Sequence, residues 1–171
     1  MSGLRDQLQR SVQGAVRDAG EVPEELTTNF GHVFRSVPRL LVEPRMAEDV
    51  QAAIRFARAH GLAVAARGAG HSQSRVGLSD DRGILLNMPS MSRVIEIDQE
   101  RLTADVEAGV VWGDLLEELK PLGLAPPVLT NNLNVTIGGT LSVAGIGVAS
   151  FRYGTQGDQV EEVTVVTGAG A

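Results

Sequence analysis

The chain has 171 residues, with 15 Lys and Arg against 21 Asp and Glu, a formal net charge of −6 and no cysteine. This length is enough for one ordinary domain with a real core, and the missing cysteine excludes disulfides, thiolate nucleophiles and Cys-ligated metal sites. The acidic balance argues against nucleic-acid binding, which needs a surplus of Lys and Arg, and three histidines leave little material for a metal centre.

No segment reaches the roughly 20 apolar residues of a membrane span. The first twenty residues carry Arg5, Asp6, Arg10, Arg17 and Asp18 and have no continuous apolar run, so they do not read as a signal peptide. The expectation is a soluble, cytoplasmic protein without a membrane partner. Leu4, Leu8, Val12, Ala15, Val16 and Ala19 recur at helical spacing before Gly20, which predicts a helix over 3–19. A linker with Pro23 and His32 follows, so residues 1–36 read as an N-terminal helix and linker, and 37–171 as the main domain.

Residues 40–42 are a strand candidate stopped by Pro44. Val50, Ala53, Ile54 and Ala57 share one face of a helix over 47–60, which Gly61 ends. An apolar strand over 62–66 runs into Arg67-Gly68-Ala69-Gly70-His71-Ser72, completing one βαβ unit. Strands are expected over 83–87 and 94–98, and Leu102, Ala104, Val106 and Ala108 alternate with polar residues as in a half-buried strand. The helix predicted over 111–122 turns Trp112, Leu115, Leu116 and Leu119 inward, with Trp112 read as core. Residues 125–158 are irregular. A last strand is expected over 160–167.

Glycine is the anomaly. An average composition predicts about 12, whereas 20 are present, gathered in 68–77 and 138–157. Glycine allows positive φ and close approach of a ligand to the backbone, and bare amides can cradle phosphate. The first loop is neither GxGxxG nor a Walker loop, since the third glycine and the Lys-Ser/Thr pair are missing. Spacing alone leaves two readings open: a pyrophosphate cradle, or a tight turn whose His71 bonds only backbone.

RGAGHS after a βαβ unit resembles the flavin-attachment loop of the FAD-linked oxidases of the vanillyl-alcohol oxidase (PCMH) type. Downstream, TIGGTLSVAGIG, then FRYG, then VTVVTG resemble the matching stretch of cytokinin dehydrogenases and their bacterial relatives. The resemblance covers roughly residues 29–171. It implies an α+β fold of two α/β subdomains, truncated at the C-terminus, with FAD as cofactor. It also implies that His71 carries FAD through the 8α-methyl carbon. Ala66, Gly68, Gly70 and Ser72 would line the pyrophosphate, and Thr136, Gly138, Gly139, Ser142 and Ile146 would hold the flavin. Without cysteine, a second, cysteinyl bond to the flavin is excluded.

Two departures stand out. Where the family continues toward a Gly-Gln that contacts the cofactor, this chain has Arg75 and Val76. Where cytokinin dehydrogenases carry an aspartate base, it has Asn131, and an amide cannot accept a proton near neutral pH. His60 reads as a helix-end residue, Glu117-Glu118 and Glu161-Glu162 as solvated faces, and Arg152 as loop support. The expected function is the FAD-binding portion of an oxidoreductase acting on a small-molecule substrate. The alternative is a non-catalytic flavin-binding or interaction module, or one completed by a second chain supplying a missing C-terminal half.

Overall fold

The structure, a computed structural model, describes residues 3–171. It divides into two compact units. One comprises the chain up to Ser90 together with Val165–Ala171; the other is Met91–Thr164. The overall class is the mixed α and β fold that the sequence predicts.

The first unit is built on a four-stranded sheet of order β1-β2-β4-β3, from Ala15–Asp18 (β1), Leu40–Glu43 (β2), Val64–Arg67 (β3) and Ile84–Asn87 (β4). β1 is antiparallel to β2, whereas β4 is parallel to both β2 and β3. Leu40, Leu41, Val42, Ile84, Leu85 and Leu86 are all buried. Their continuous apolar runs suit central strands covered on both faces. Helix α2 (Ala47–His60) presents Val50, Ala53 and Ala57 to this core, and Gly61 closes it at φ 64°. The βαβ unit is therefore β2-α2-β3, with β4 inserted between its strands.

The helix expected over 3–19 is not formed. Helix α1 spans only Leu4–Gln9, and the chain then turns into β1. Two interactions at its middle outweigh helical periodicity. Asp49 accepts hydrogen bonds from the backbone N–H groups of Gln13 (2.7 Å), Gly14 (2.9 Å) and Arg45 (2.9 Å). Gly14 also packs so closely on the Glu43 carbonyl that a Cβ would overlap it. Val12 and Val16 are still buried, but Val12 lies in the connection after α1 and Val16 in β1.

In the second unit an antiparallel pair, β5 (Val94–Asp98) and β6 (Thr103–Val106), leads into helix α3 (Trp112–Leu119). Its core gathers Val110, Trp112, Leu115, Leu119 and Ile137. Trp112 belongs to it, its indole N–H donating to Thr140 Oγ1 at 2.9 Å. Two short helices follow, α4 (Ile137–Leu141) and α5 (Ser150–Tyr153). The strand expected over 160–167 is absent: none of the described strands pairs with it, and Val163 and Val165 are exposed. Backbone extended without a partner gains no ladder bonds, so β-propensity alone does not make a strand. Among the described residues no helix is long and apolar enough to cross a membrane.

Candidate functional site

The residues singled out from the sequence fall in both units: Ala66, Gly68, Gly70, His71 and Ser72 in the first, and Asn131, Thr136, Gly138, Gly139, Ser142 and Ile146 in the second. In the first unit Ala66 lies in β3 and the others follow on the loop after it; in the second, Thr136 and Ser142 cap α4, which contains Gly138 and Gly139.

In the first unit the edge strand β3 ends at Arg67, and the chain leaves the sheet without entering a helix until after β4. Arg67 is only 7% exposed, although it is a cation. Its guanidinium donates to the carbonyls of Glu25 (2.9 Å) and Gly77 (3.3 Å), while no described carboxylate forms an ion pair with it. Burial holds its pKa below the usual guanidinium value. A buried positive charge without an anion is costly, and here it lies under the loop 68–72. Gly70, at φ 78°, passes directly over this guanidinium, where any Cβ would collide with it.

His71 is half-buried. Its Nδ1 is buried and has no hydrogen-bond partner, and its ring stacks on Phe30 with centroids 5.1 Å apart and planes at 26°. The turn reading, in which His71 bonds only backbone, is therefore not what the imidazole does. Ser72 Oγ lies 3.0 Å from Ser74 Oγ, and the Ser72 carbonyl accepts the Phe30 N–H at 3.2 Å. Arg75 and Val76 are exposed, and the Arg75 guanidinium lies over the Phe34 ring, 5.8 Å from its centroid.

In the second unit, several glycines and polar groups have internal duties. The Thr136 hydroxyl caps α4 by accepting the Gly139 N–H at 3.3 Å. A Cβ at Gly138 would lie 2.7 Å from the Ala108 Cβ, and one at Gly139 would lie 2.7 Å from Thr136 Oγ1. Ser142 Oγ donates to the Gly138 carbonyl at 2.7 Å. Gln156 is buried and ties down the following loop, its backbone N–H donating to the Gly145 carbonyl at 2.8 Å and its side chain to the Val128 carbonyl at 3.4 Å. Asn131 and Ile146 come together on that loop: with Gly147 and Val148 they line an open concavity of about 350 Å³. Asn131 is exposed and has no hydrogen-bond partner among the described residues. No cluster of His, Asp and Glu among the described residues is arranged to hold a metal.

Sequence reasoning passed over Asn29, Phe30 and Glu25, which support the His71 loop from the linker. Their signal is tertiary: the Asn29 side chain bonds the Gln73 carbonyl, 44 residues away.

A profile of the FAD binding domain matches residues 38–171. The uncharacterised oxidoreductase ORF5 of the fasciation locus of Rhodococcoides fascians is 39% identical over 142 residues, covering 83% of this chain and 32% of that protein. Cytokinin dehydrogenase 3 of Arabidopsis thaliana is 36% identical over 162 residues, covering 92% and 31%. Among solved structures, 6-hydroxy-D-nicotine oxidase from Arthrobacter nicotinovorans superposes with a TM-score of 0.82 at 28% identity, over 94% of this chain and 35% of that one. The chain thus spans about a third of the length of these relatives. With a profile match over residues 38–171, relatives at 36–39% identity and a TM-score of 0.82 in agreement, the chain belongs to the FAD-binding domain family of the PCMH, or vanillyl-alcohol oxidase, type.

Proposed function

We propose that this chain is the cofactor-holding portion of an FAD-dependent oxidoreductase and that His71 is the residue bonded to the flavin. The observation that carries this reading is the imidazole itself: a ring nitrogen buried without a partner, on a loop laid over an unpaired cation. Buried polar groups left without a partner are rare, and here the missing partner is supplied naturally by a group that does not come from this chain. The loop fits a flavin dinucleotide on the same grounds. Arg67 offers uncompensated positive charge for a pyrophosphate, and Gly70 carries bare backbone directly over that charge.

FAD, when bound, supplies hydride acceptance at N5 and passes the electrons to oxygen or another acceptor. A His71 ring nitrogen would hold the flavin through a bond to its 8α carbon; the imidazole would give up its N–H proton and the methyl one hydrogen, with dioxygen as the two-electron oxidant. On the second unit, Asn131 lines the concavity and would orient a small-molecule substrate there by hydrogen bonding, and as an amide it would not take its proton. Steady oxidation of a cytokinin by the unaltered chain would contradict that assignment.

A reading in which a second polypeptide completes the protein has its own support. Val143, Ile146, Val148 and Phe151 are each more than two thirds exposed within one short loop region, an apolar run that normally marks a covered surface. Titrating the purified chain with FAD and following flavin fluorescence tests the cofactor reading. Saturable binding at one site per chain is expected, and unchanged fluorescence at every protein concentration would overturn it.

A further inference from the structure

The linker between β1 and β2 forms a strap over the His71 loop, and it lies ahead of the stretch matched by the family profile. Residues 27–36 fold back on themselves through a Thr28–Arg35 bridge and a Ser36 N–H to Thr27 carbonyl bond of 2.8 Å. His32 completes the reversal at φ 54°. Asn29, 3% exposed, is its hub. The Asn29 Oδ1 accepts the N–H groups of Val33 and Phe34, both at 2.9 Å, which closes the strap on itself. Its Nδ2 donates to the Gln73 carbonyl at 2.8 Å, which fastens the strap to the loop. Phe30 N–H bonds the Ser72 carbonyl, and the Phe30 ring lies on the His71 ring.

We infer that Asn29 and Phe30 are positioning residues for His71: the strap fixes the imidazole plane and the direction of its nitrogens before FAD arrives. The physical case is one of freedom removed. A histidine on a glycine loop without a hydrogen bond would turn about two side-chain dihedrals. Here the Phe30 face blocks that rotation, and bonds at both Ser72 and Gln73 keep the backbone beside His71 from moving. Holding a reacting group in a near-attack orientation is worth several powers of ten in rate, and a flat aromatic neighbour does so without consuming the nitrogen lone pair that a hydrogen bond would occupy. Phe30 is itself more than half exposed, so the fold does not need it as core.

The inference rests on the proposed attachment of flavin to His71, and the test separates the two. The full chain and its Phe30→Ala, Phe30→Leu and Phe30→Tyr variants are incubated with saturating FAD. Total bound flavin and acid-stable flavin are followed in time. The expected result is that Phe30→Ala keeps its total bound flavin but forms the acid-stable fraction at least tenfold more slowly, with Phe30→Tyr near the parental rate and Phe30→Leu between them. Parental attachment by Phe30→Ala overturns the positioning role and leaves the His71 reading intact. If the parent itself retains no acid-stable flavin, attachment to His71 is overturned. The strap is then judged on equilibrium affinity: a tenfold weaker FAD complex in Phe30→Ala, with an unaltered far-ultraviolet spectrum, supports it, and an unchanged affinity overturns it.

Discussion

At Gly70 two constraints meet in one residue. The backbone sits at φ 78°, and the space a Cβ would occupy belongs to the Arg67 guanidinium. An alanine there costs about 1–2 kcal/mol for the left-handed backbone alone and must also displace a buried cation. Gly70→Ala is therefore expected to lower FAD affinity at least tenfold, by fluorescence titration; parental affinity would show that the loop tolerates a shift in Arg67. This residue was legible in the sequence as a glycine close to a ligand. That Arg67, and not only the ligand, demands it was not legible, because nothing in RGAGHS says which way the arginine turns. Gly138 and Gly139 teach the same lesson. The motif marks them, but Ala108 and the Thr136 hydroxyl account for their missing side chains within the fold.

Elements whose own pattern matched their packing were legible in outline. Helix α2 runs over the predicted residues because its apolar face, its acidic first turn and Gly61 all agree. β2 and β4 are short apolar runs that fit only central strands. The helix expected over 3–19 failed because periodicity cannot register Asp49, more than 30 residues away, capturing the Gln13 and Gly14 amides. In the second unit, Glu107 ties the start of β5 to the end of β6. Its side chain is only 6% exposed and it receives Arg93 through the backbone N–H at 2.8 Å, Nε at 3.0 Å and Nη2 at 2.7 Å. Desolvation works to raise its pKa, but the hydrogen bonds and charge of Arg93 outweigh it and hold Glu107 below the usual carboxylate value. A depressed folded-state pKa gives stability that is complete above the unfolded value of about 4.3 and is lost as pH falls through the folded one. Glu107→Gln is expected to lower the thermal midpoint by about 2–5 °C at pH 7, with the gap to the parent closing below pH 4. A gap that stays constant with pH would mean the ion pair contributes nothing beyond packing.

For the whole molecule, the sequence motifs identified the family and its cofactor, because glycine loops and a strand-to-loop histidine are local features. The strap around His71 and the lack of a strand partner over 160–167 were out of reach, since both depend on which distant backbone groups find each other. Phe151, 90% exposed, and its apolar neighbours in the second unit carry a consequence for behaviour in solution. The chain is expected to self-associate as its concentration rises, and Phe151→Glu is expected to reduce this in light scattering; equal scattering from both would indicate that this region stays solvated. The central claim is that His71 bonds the flavin, and acid precipitation of the FAD-incubated chain followed by intact-mass measurement tests it most directly. The account predicts a yellow pellet whose protein carries the mass of one FAD less two hydrogens, with both features lost in His71→Ala. A colourless pellet of unmodified mass, or a flavin that persists in His71→Ala, would contradict it.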